Sequence, residues 1–411
     1  MGDTLRGNRD FLRLWAGQSI SQLGSQVTLL ALPLVAIRIL HAGPLELGVL
    51  AACETLPFLL VGLPAGVWVD RWRRRPILVV SDLGRAVVLA AVPVAYAVDA
   101  LAMWQLYVVA LATGMLTVFF DVAYQSFLPA LVPRSRLVEG NARLELSRSM
   151  SQVAGPGVGG LLVELLRSPY AIAADSVSFV VSALFVRRIR STEAAVPVSE
   201  PRERMHRDIA AGIRYVAGHP LLRRIAACTA LFNLFSATGM AVFLLYAVRQ
   251  LDIGPGVVGV VFSVGSLGFV AGAALTQRVS LRLGLGPALV LAAAVSGAGF
   301  LLVPLAPPDA AVPFFVAAMS LESAGASVYN VIQVSLRQTI TPQRLQGRMN
   351  ATMRFVVWGV MPLGSLLGGV LGRTVGVHTA LWVSAVGGTL SVGPLLARNV
   401  LGLRTMPAEA R

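Results

Sequence analysis

The chain has 411 residues, of which 56% are apolar and 13% are charged, and its mean hydropathy is +0.73. This composition excludes a water-soluble protein and is typical of an integral membrane protein. The net charge of +14 does not indicate a nucleic-acid partner, because binding of that kind needs a soluble basic face with interleaved aromatic residues, and the sequence has none.

Apolar runs of about 20 residues recur along nearly the whole chain, and each is long enough to cross a ~30 Å hydrocarbon layer as an α-helix. The sequence therefore predicts an all-α membrane protein with twelve transmembrane helices, called spans one to twelve below. Their approximate bounds are residues 13–39, 46–69, 77–98, 102–128, 142–166, 170–188, 221–249, 255–277, 286–305, 312–336, 349–372 and 376–397. We expect no cleaved signal peptide, because the first run follows Arg6, Arg9 and Arg13 and is too long for a signal core.

The basic residues set the expected orientation. All 34 are arginines, and with the N-terminus in the cytoplasm all but four of them lie in or near cytoplasmic loops and termini, as the positive-inside rule requires. The four at outward-facing ends are Arg38, Arg167, Arg249 and Arg373. We therefore expect a multi-pass protein of the cell membrane with both termini in the cytoplasm.

The second half of the sequence repeats the first. Placing Arg13 on Arg224 also places Gly43-Pro44 on Gly254-Pro255. Because six crossings return the chain to its starting side, the two repeats have the same orientation and are related by an axis along the membrane normal.

This repeat divides the chain into an N-terminal six-helix bundle (1–190), a cytoplasmic linker (191–219) and a C-terminal six-helix bundle (220–411). In the linker, apolar residues recur at helical spacing beneath arginines, which predicts an amphipathic helix on the cytoplasmic membrane face. These residues are Ile209, Ile213 and Val216, with Arg207 and Arg214. We expect the helix to tether the bundles, with a regulatory role as the alternative.

Spans one and seven, which the repeat relates to each other, both carry polar residues at helical spacing. These are Gln18, Gln22, Ser25 and Gln26 in span one and Thr229, Asn233 and Ser236 in span seven. Equivalent stripes are expected to face each other across the repeat axis, where they could line a central small-molecule site. We interpret them as substrate-binding candidates, although hydrogen bonding between helices explains any single residue equally well.

The loop between spans two and three is strongly charged. It contains Gly66, Asp70, Arg71, Arg73, Arg74 and Arg75. Two six-helix halves, a linker and this loop resemble the major facilitator superfamily over essentially the whole chain, although Arg73 stands where the family usually has a second glycine. The resemblance implies a cytoplasmic gate in which Asp70 accepts hydrogen bonds from the N-terminus of span eleven, near Arg348. Enforcement of topology alone explains the arginines but not Asp70.

Asp82 and Arg85 lie three residues apart on one face of span three. A lone charge near mid-membrane costs about 2.5–3.5 kcal/mol on insertion scales, and pairing lowers that cost. A structural ion pair and a moving part of the gate are equally good interpretations.

Span five contains the run from Gly155 to Gly160. It is not a phosphate-binding loop, because it has neither the Lys-Ser/Thr ending nor a preceding strand. Gly155, Gly159 and Gly160 allow close approach of helices, and Pro156 supplies a bend. The pattern resembles the antiporter motif of the exporter branches of the superfamily.

Further matches are similar to one exporter branch, which contains the enterobactin exporter and the macrolide-efflux permeases. They are Leu128-Pro129 and Leu131-Val132-Pro133 after span four, Asp175 with Ser178-Phe179 in span six, and Thr341-Pro342 with Leu345 and Gly347-Arg348 before span eleven. Span four carries Asp121 and lacks the arginine found there in many drug/proton antiporters. The sequence therefore does not support proton coupling through an arginine in span four.

Acids inside spans are candidates for proton coupling or for contact with a cationic substrate. They are Glu54, Asp121, Glu145, Asp175 and Glu322. Glu54 and Glu322 have no basic residue within a turn, so both are candidates for proton coupling and substrate binding, and Asp121 is the third candidate for coupling. Glu145 is interpreted as structural because Arg148 lies one turn away.

The sequence shows no cluster of nucleophile, base or metal ligands, and Cys53, Cys228 and the four histidines are scattered. We expect no enzyme activity, cofactor or metal site. The resemblance implies a monomeric transporter that exports a lipophilic or amphiphilic small molecule, such as a drug, an antibiotic or a siderophore-like compound, by proton antiport and alternating access. The alternatives are an importer of a small metabolite on the same fold and a transporter-like sensor without transport activity.

Overall fold

The computed structural model describes residues 5, 8–69, 72–133, 136–190 and 205–405, and for residues 63, 66, 67, 205–210 and 344 it describes the backbone alone. Every regular element within these ranges is helical. The α-helices are α1 (Arg9–Arg38), α2 (Pro44–Val69), α3 (Arg74–Ala97), α4 (Met103–Leu131), α5 (Leu137–Leu166), α6 (Ser168–Arg187), α7 (Met205–Gly218), α8 (Pro220–Leu245), α9 (Pro255–Leu283), α10 (Leu285–Gly299), α11 (Leu302–Leu305), α12 (Ala311–Ile340), α13 (Gln343–Gly359), α14 (Met361–Thr374), α15 (Val377–Leu390) and α16 (Arg398–Leu401). The predicted all-α membrane fold is confirmed.

Ten of the twelve expected spans coincide with described helices that are long and apolar enough to cross a membrane. In that set α10 with α11 forms one span, and α13 with α14 forms another. The other two expected spans correspond to α5 and α15. Charged residues occupy the first half of α5, and the 14 residues of α15 reach only about 21 Å. For these two, the count of twelve stays a prediction that rests on the repeat.

Prolines determine where several helices begin and break. α2, α8 and α9 begin at Pro44, Pro220 and Pro255, a position where the missing N–H group has no helical partner to lose. Pro362 lies in the first turn of α14 and lacks the N–H that would continue α13. Span eleven is therefore two helices that meet at Val360.

A single residue, Gly284, joins α9 to α10. Its φ of 87° lies in the left-handed region, which glycine adopts without steric cost. A Cβ atom at this position would also lie 3.0 Å from Cδ of Arg404. Gly284 aligns with Arg73 in the repeat, so the second half has a one-residue turn where the first half has the segment 70–73 between α2 and α3.

The structure divides into two compact units, and each is described by itself. Unit 1 consists of Met1–Gly43, Cys53–Ser199 and Ile253–Ser263, and unit 2 of Pro44–Ala52, Glu200–Asp252 and Val264–Arg411. In unit 1, α1 packs against α5 and α6, and α3 packs against α4 and α6. In unit 2, α8 packs against α14 and α15, α10 packs against α12 and α15, and α13 packs against α7. The domain boundaries drawn from the sequence stay a prediction.

The helix expected in the linker is present as α7, whose side chains are described from residue 211 onward. Gly212 and Val216 are buried, whereas Ile213 is 44% exposed. Val216 joins the apolar core of unit 2, and the hydroxyl of Tyr215 donates a hydrogen bond of 3.2 Å to the carbonyl of Ile340. Helix α7 is thus packed into unit 2 along its C-terminal half.

Candidate functional site

Unit 2 contains a cavity of about 550 Å³, a volume within the ~300–1,000 Å³ range of small-molecule sites. Its wall comes mainly from α8, α12 and α13. The lining residues are Cys228, Thr229, Phe232, Asn233, Phe269, Ala293, Ser296, Ala326, Tyr329, Asn330, Gln333, Arg337, Asn350, Met353, Arg354, Val357, Trp358 and Ser391. Aromatic rings and polar groups therefore line the same cavity.

The cavity lies toward the helix ends that the arginine distribution places on the cytoplasmic side. Helices α12 and α13 meet at Thr341-Pro342. Gln333 and Arg337 precede this junction by about 12 Å and 6 Å of helix, and Arg354 follows it by about 18 Å. The site is consequently in the cytoplasmic half of unit 2 under the expected orientation.

Several of the polar side chains in the wall bond to one another or to the backbone. Thr229 and Tyr329 share a hydrogen bond of 2.7 Å between their hydroxyl oxygens. Asn233 donates 2.9 Å to the carbonyl of Val357. Gln333 is 5% exposed and donates 2.9 Å to Oδ1 of Asn330, while its buried Oε1 has no hydrogen-bond partner among the residues described.

Arg337 and Arg354 are the charged residues of the wall. Neither forms an ion pair within the described part of the chain. Arg337 is half-buried, and its buried Nε has no hydrogen-bond partner there, whereas Arg354 is exposed. The electrostatic field of the lining is therefore positive.

Glu322 lies on α12 behind this cavity, about 16 Å along the helix from Gln333. Its Oε1 accepts a hydrogen bond of 3.3 Å from the hydroxyl of Ser236 on α8. Ser296, which lines the cavity, donates 2.9 Å to the main-chain oxygen of Glu322. Two predicted residues, Ser236 and Glu322, are thus in contact with each other, and Glu322 is bonded through its backbone to Ser296 of the cavity wall.

Of the polar residues predicted in span seven, Thr229 and Asn233 line the cavity and Ser236 does not. Sequence reasoning missed most of the polar wall contributed by α12 and α13. A signal was present, because polar residues recur on one face of each helix. They are Asn330, Gln333 and Arg337 on α12, and Asn350 and Arg354 on α13.

The polar residues predicted in span one lie on α1 in unit 1. Gln18 and Gln22 have buried Oε1 atoms without hydrogen-bond partners among the residues described. Ser25 donates 2.9 Å to the carbonyl of Ser21 on its own helix. Gln26 packs against Gly155 of α5, where a Cβ atom would lie 2.5 Å from its Cβ. At least part of this stripe therefore serves the contact between α1 and α5.

The two acids proposed for coupling in unit 1 lie on different helices. Glu54 of α2 is half-buried and forms no ion pair within the described residues. Its main-chain oxygen lies against Gly114 of α4. Asp121 of α4 lies one turn before Tyr124 and within electrostatic range of its hydroxyl.

The structure describes only some of the residues of the predicted gate. Asp70 and Arg71 lie outside the described residues. Gly66 is in the last turn of α2, and Arg74 and Arg75 begin α3. The guanidinium of Arg75 donates a hydrogen bond to the carbonyl of Arg187 at the end of α6. Arg348 is exposed in the second turn of α13.

Asp82 and Arg85 form a buried ion pair in α3, with 2.5 Å between Oδ1 and Nη2. The Arg85 guanidinium carbon lies 4.4 Å from the ring centre of Phe120 and 4.1 Å from that of Phe179. Asp175 of α6 is within electrostatic range of this pair. The sequence indicated the pair but not its aromatic sandwich or the second acid.

Asp175 is 1% exposed and is held by hydroxyl groups. Thr28 of α1 donates 2.5 Å to its Oδ2, and Ser178 donates 2.9 Å to its Oδ1. Gly24 of α1 lies directly against this carboxylate. The contact joins α1 to α6.

The glycine run of span five brings α5 close to two neighbours within unit 1. A Cβ atom at Gly159 would lie 3.1 Å from Cα of Val27 on α1, and one at Gly160 would lie 3.0 Å from Cα of Gly259 on α9. The backbone N–H of Gly157 donates 2.8 Å to the hydroxyl of Ser263. Close packing of this kind requires small residues at the points of contact.

Membrane-spanning helices arranged as two sequence repeats, with a ligand-sized cavity among the helices of one unit, are typical of a transporter of the major facilitator class. The chain belongs to the transmembrane secretion effector family, whose model matches residues 6–409.

Relatives of known name and structure agree with this assignment. The multidrug efflux pump Tap of Mycolicibacterium fortuitum is 28% identical over 86% of this chain and 87% of its own length. Macrolide efflux protein A of Streptococcus pyogenes is 22% identical over 90% of each chain. The crystal structure of a bacterial homologue of the iron transporter ferroportin, in the inward-facing state, matches with a TM-score of 0.77 and 16% identity over 96% of this chain and 99% of that one. The last match shows the fold alone, and the predicted resemblance to the major facilitator superfamily is confirmed.

Proposed function

We propose that this protein is a secondary active exporter that moves a lipophilic or amphiphilic small molecule out of the cell by proton antiport. The observation that carries the proposal is the unit 2 cavity, in which Phe232, Phe269 and Trp358 share the wall with hydrogen-bonding groups. An apolar wall with a few convergent polar groups suits a drug-sized amphiphile. The similarity to proteins named as multidrug and macrolide efflux pumps favours export over import.

Transport by alternating access fits a chain built from parallel repeats. Glu322, Asp121 and Glu54 are the candidates for proton coupling. Glu322 is favoured because Ser236 donates to its carboxylate and Ser296 connects its backbone to the cavity wall. A carboxylate without a counter-ion at membrane depth is costly, so such residues are usually kept for function.

Transport in everted membrane vesicles tests the proposal. The lumen is made acidic, and a radiolabelled macrolide and a panel of cationic, neutral and anionic fluorescent amphiphiles are supplied outside. We expect at least one probe to accumulate in vesicles that carry the protein, and a protonophore to abolish the accumulation. Vesicles without the protein are the control. Absence of accumulation across the whole panel would rule out the proposed export, and energised uptake in right-side-out vesicles alone would indicate import.

The same vesicles and the purified protein test the remaining parts of the proposal, which place a monomer in the cell membrane with both termini in the cytoplasm. The distribution of the arginines supports this orientation. A cleavable tag at the C-terminus should be open to added protease in everted vesicles and protected in right-side-out ones. The opposite pattern would reverse the orientation, and a dimeric mass in light scattering of the purified protein would exclude the monomer.

A further inference from the structure

The unit 2 cavity has charges of one sign only. Arg337 and Arg354 contribute to its wall, and its described lining contains no aspartate or glutamate. The acid on α12, Glu322, lies about 22 Å along the helix from Arg337. A cleft lined by one sign of charge concentrates ligands of the opposite sign.

The described residues leave the guanidinium group of Arg337 short of hydrogen-bond and ion-pair partners. It is half-buried, its Nε is buried without a hydrogen-bond partner among the described residues, and it has no ion pair there. A cation inside a membrane-spanning helix is costly unless a partner or water compensates it. A ligand that supplies an anionic oxygen would provide that partner.

Gln333 supplies a second, independent observation. The side chain is 95% buried, lines the cavity one turn before Arg337, and leaves its Oε1 unpaired among the described residues. Because the two ends of an amide are assigned from hydrogen bonding, the amides of Gln333 and Asn330 can be turned over together. Asn330 then donates to Gln333, and an N–H group of Gln333 is left available to a ligand. Either way, a buried polar atom without a partner is present in the wall.

We propose that this cavity binds molecules that carry an anionic oxygen group, a carboxylate, sulfonate or phosphate, on an apolar body. The guanidinium groups of Arg337 and Arg354 hold the anion, since their planar donors match two acceptor oxygens. The aromatic rings of Phe232, Phe269 and Trp358 hold the body. The inference rests on the proposed export function and names the substrate class for the same site.

Binding of a matched pair of probes tests this inference without any transport step. The probes are 1-pyrenebutyrate and its methyl ester, which share the aromatic body and differ in charge. Affinities are measured on the purified full chain in non-ionic detergent from the quenching of tryptophan fluorescence, to which Trp358 contributes. We expect the acid to bind about tenfold tighter than the ester, because a charge-assisted bidentate pair is lost in the ester. Equal affinities would overturn the inference.

Three variants and one control variant test which residues give the preference for the acid. Arg337→Gln and Arg354→Gln should each remove most of the preference for the acid while ester binding persists, which also shows that the variants are folded. Arg337→Lys keeps the charge without the planar fork and should give an intermediate preference. Arg373→Gln removes an exposed arginine outside the cavity and should leave the preference unchanged. Retention of the full preference in both glutamine variants at 337 and 354 would contradict the assignment.

Membrane lipid is a second source of the same anionic chemistry. The binding assay is therefore repeated in nanodiscs of phosphatidylcholine and in nanodiscs that contain phosphatidylglycerol. Weaker probe binding with phosphatidylglycerol identifies a lipid headgroup as an occupant, and unchanged binding identifies a free small molecule. If the wild-type protein exports a probe along the pH gradient but binds the acid and the ester equally, only this inference is overturned. If it prefers the acid in the binding assay but exports no probe, only the proposed function is overturned.

Discussion

At the scale of single residues, Asp82 and Arg85 form a deeply buried ion pair in unit 1. The two side chains are 0% and 6% exposed, and taking two charges out of water costs several kcal/mol for each ion. The close contact between the two groups and the rings of Phe120 and Phe179 against the guanidinium offset that cost. Removal of either charge therefore exposes the full cost of burying the other.

Replacement of Asp82 by asparagine keeps the side-chain shape and removes the carboxylate that pairs directly with Arg85. We expect a loss of about 3–5 kcal/mol, the usual cost of breaking a buried pair from one side. The measurement is the temperature at which the purified protein loses its monodisperse peak. Asp99→Asn, at an exposed position after α3, is the matched control and should behave like the wild type. Equal stability of the two variants would show that the pair is not structural.

The same residues show where prediction from the sequence stops. The spacing of Asp82 and Arg85 predicts a pair because residues three apart share a helix face. Asp175 could not be connected to them, since the packing of α3 against α6 is set by tertiary structure. In unit 2, the polar residues of α8 were found from periodicity, but Arg337 and Arg354 were not, because arginines near helix ends also serve topology.

At the scale of helices, α13 connects the linker to the cavity. Gly212 of α7 lies against the backbone of Arg348 and the hydroxyl of Thr352. Other positions of the same helix, Asn350 and Arg354, line the cavity. The sequence predicted the linker helix from its apolar spacing. It could not predict the surface on which the helix packs, because that surface is formed by a segment distant in the chain.

Helix α5 offers the test of close packing. Replacement of Gly159 by leucine would force a side chain into the backbone of α1, since even its Cβ atom would lie 3.1 Å from Cα of Val27 and 3.3 Å from the carbonyl oxygen of Gln26. Overpacking costs typically about 1–3 kcal/mol and more where the backbone cannot move. We expect a lower unfolding temperature and loss of transport.

Val158→Leu is the matched control for this change, because Val158 is the neighbouring residue on α5 and is 37% exposed. It adds one methylene group on the outer face and should leave stability and transport close to wild type. If Gly159→Leu were as stable and as active as Val158→Leu, the glycine would have no packing role.

At the scale of the whole molecule, the two repeats share an architecture and differ in chemistry. Unit 1 contains the buried ion pair of Asp82 and Arg85 near Asp175, whereas unit 2 contains a cavity with arginines in its wall. Glu54 aligns with Gly265, which packs against Met319. The fold was predictable because span length and repetition are properties of the whole sequence. The asymmetry was not, because it depends on which side chains the packing encloses.

Glu322, the residue proposed for proton coupling, allows this asymmetry to be tested in the transport cycle. The helix that carries it, α12, also carries Gln333 and Arg337 of the cavity wall, and Ser296 connects the two regions. Glu322→Gln retains a hydrogen-bond partner for Ser236 but cannot exchange a proton. We expect accumulation driven by the pH gradient to disappear in everted vesicles, while exchange of labelled for unlabelled probe without a gradient persists. Glu145→Gln, which removes an exposed carboxylate of α5, should keep both activities. Gradient-driven accumulation that survives in Glu322→Gln would move the coupling to Asp121 or Glu54, and the corresponding amide variants would then be compared in the same assay.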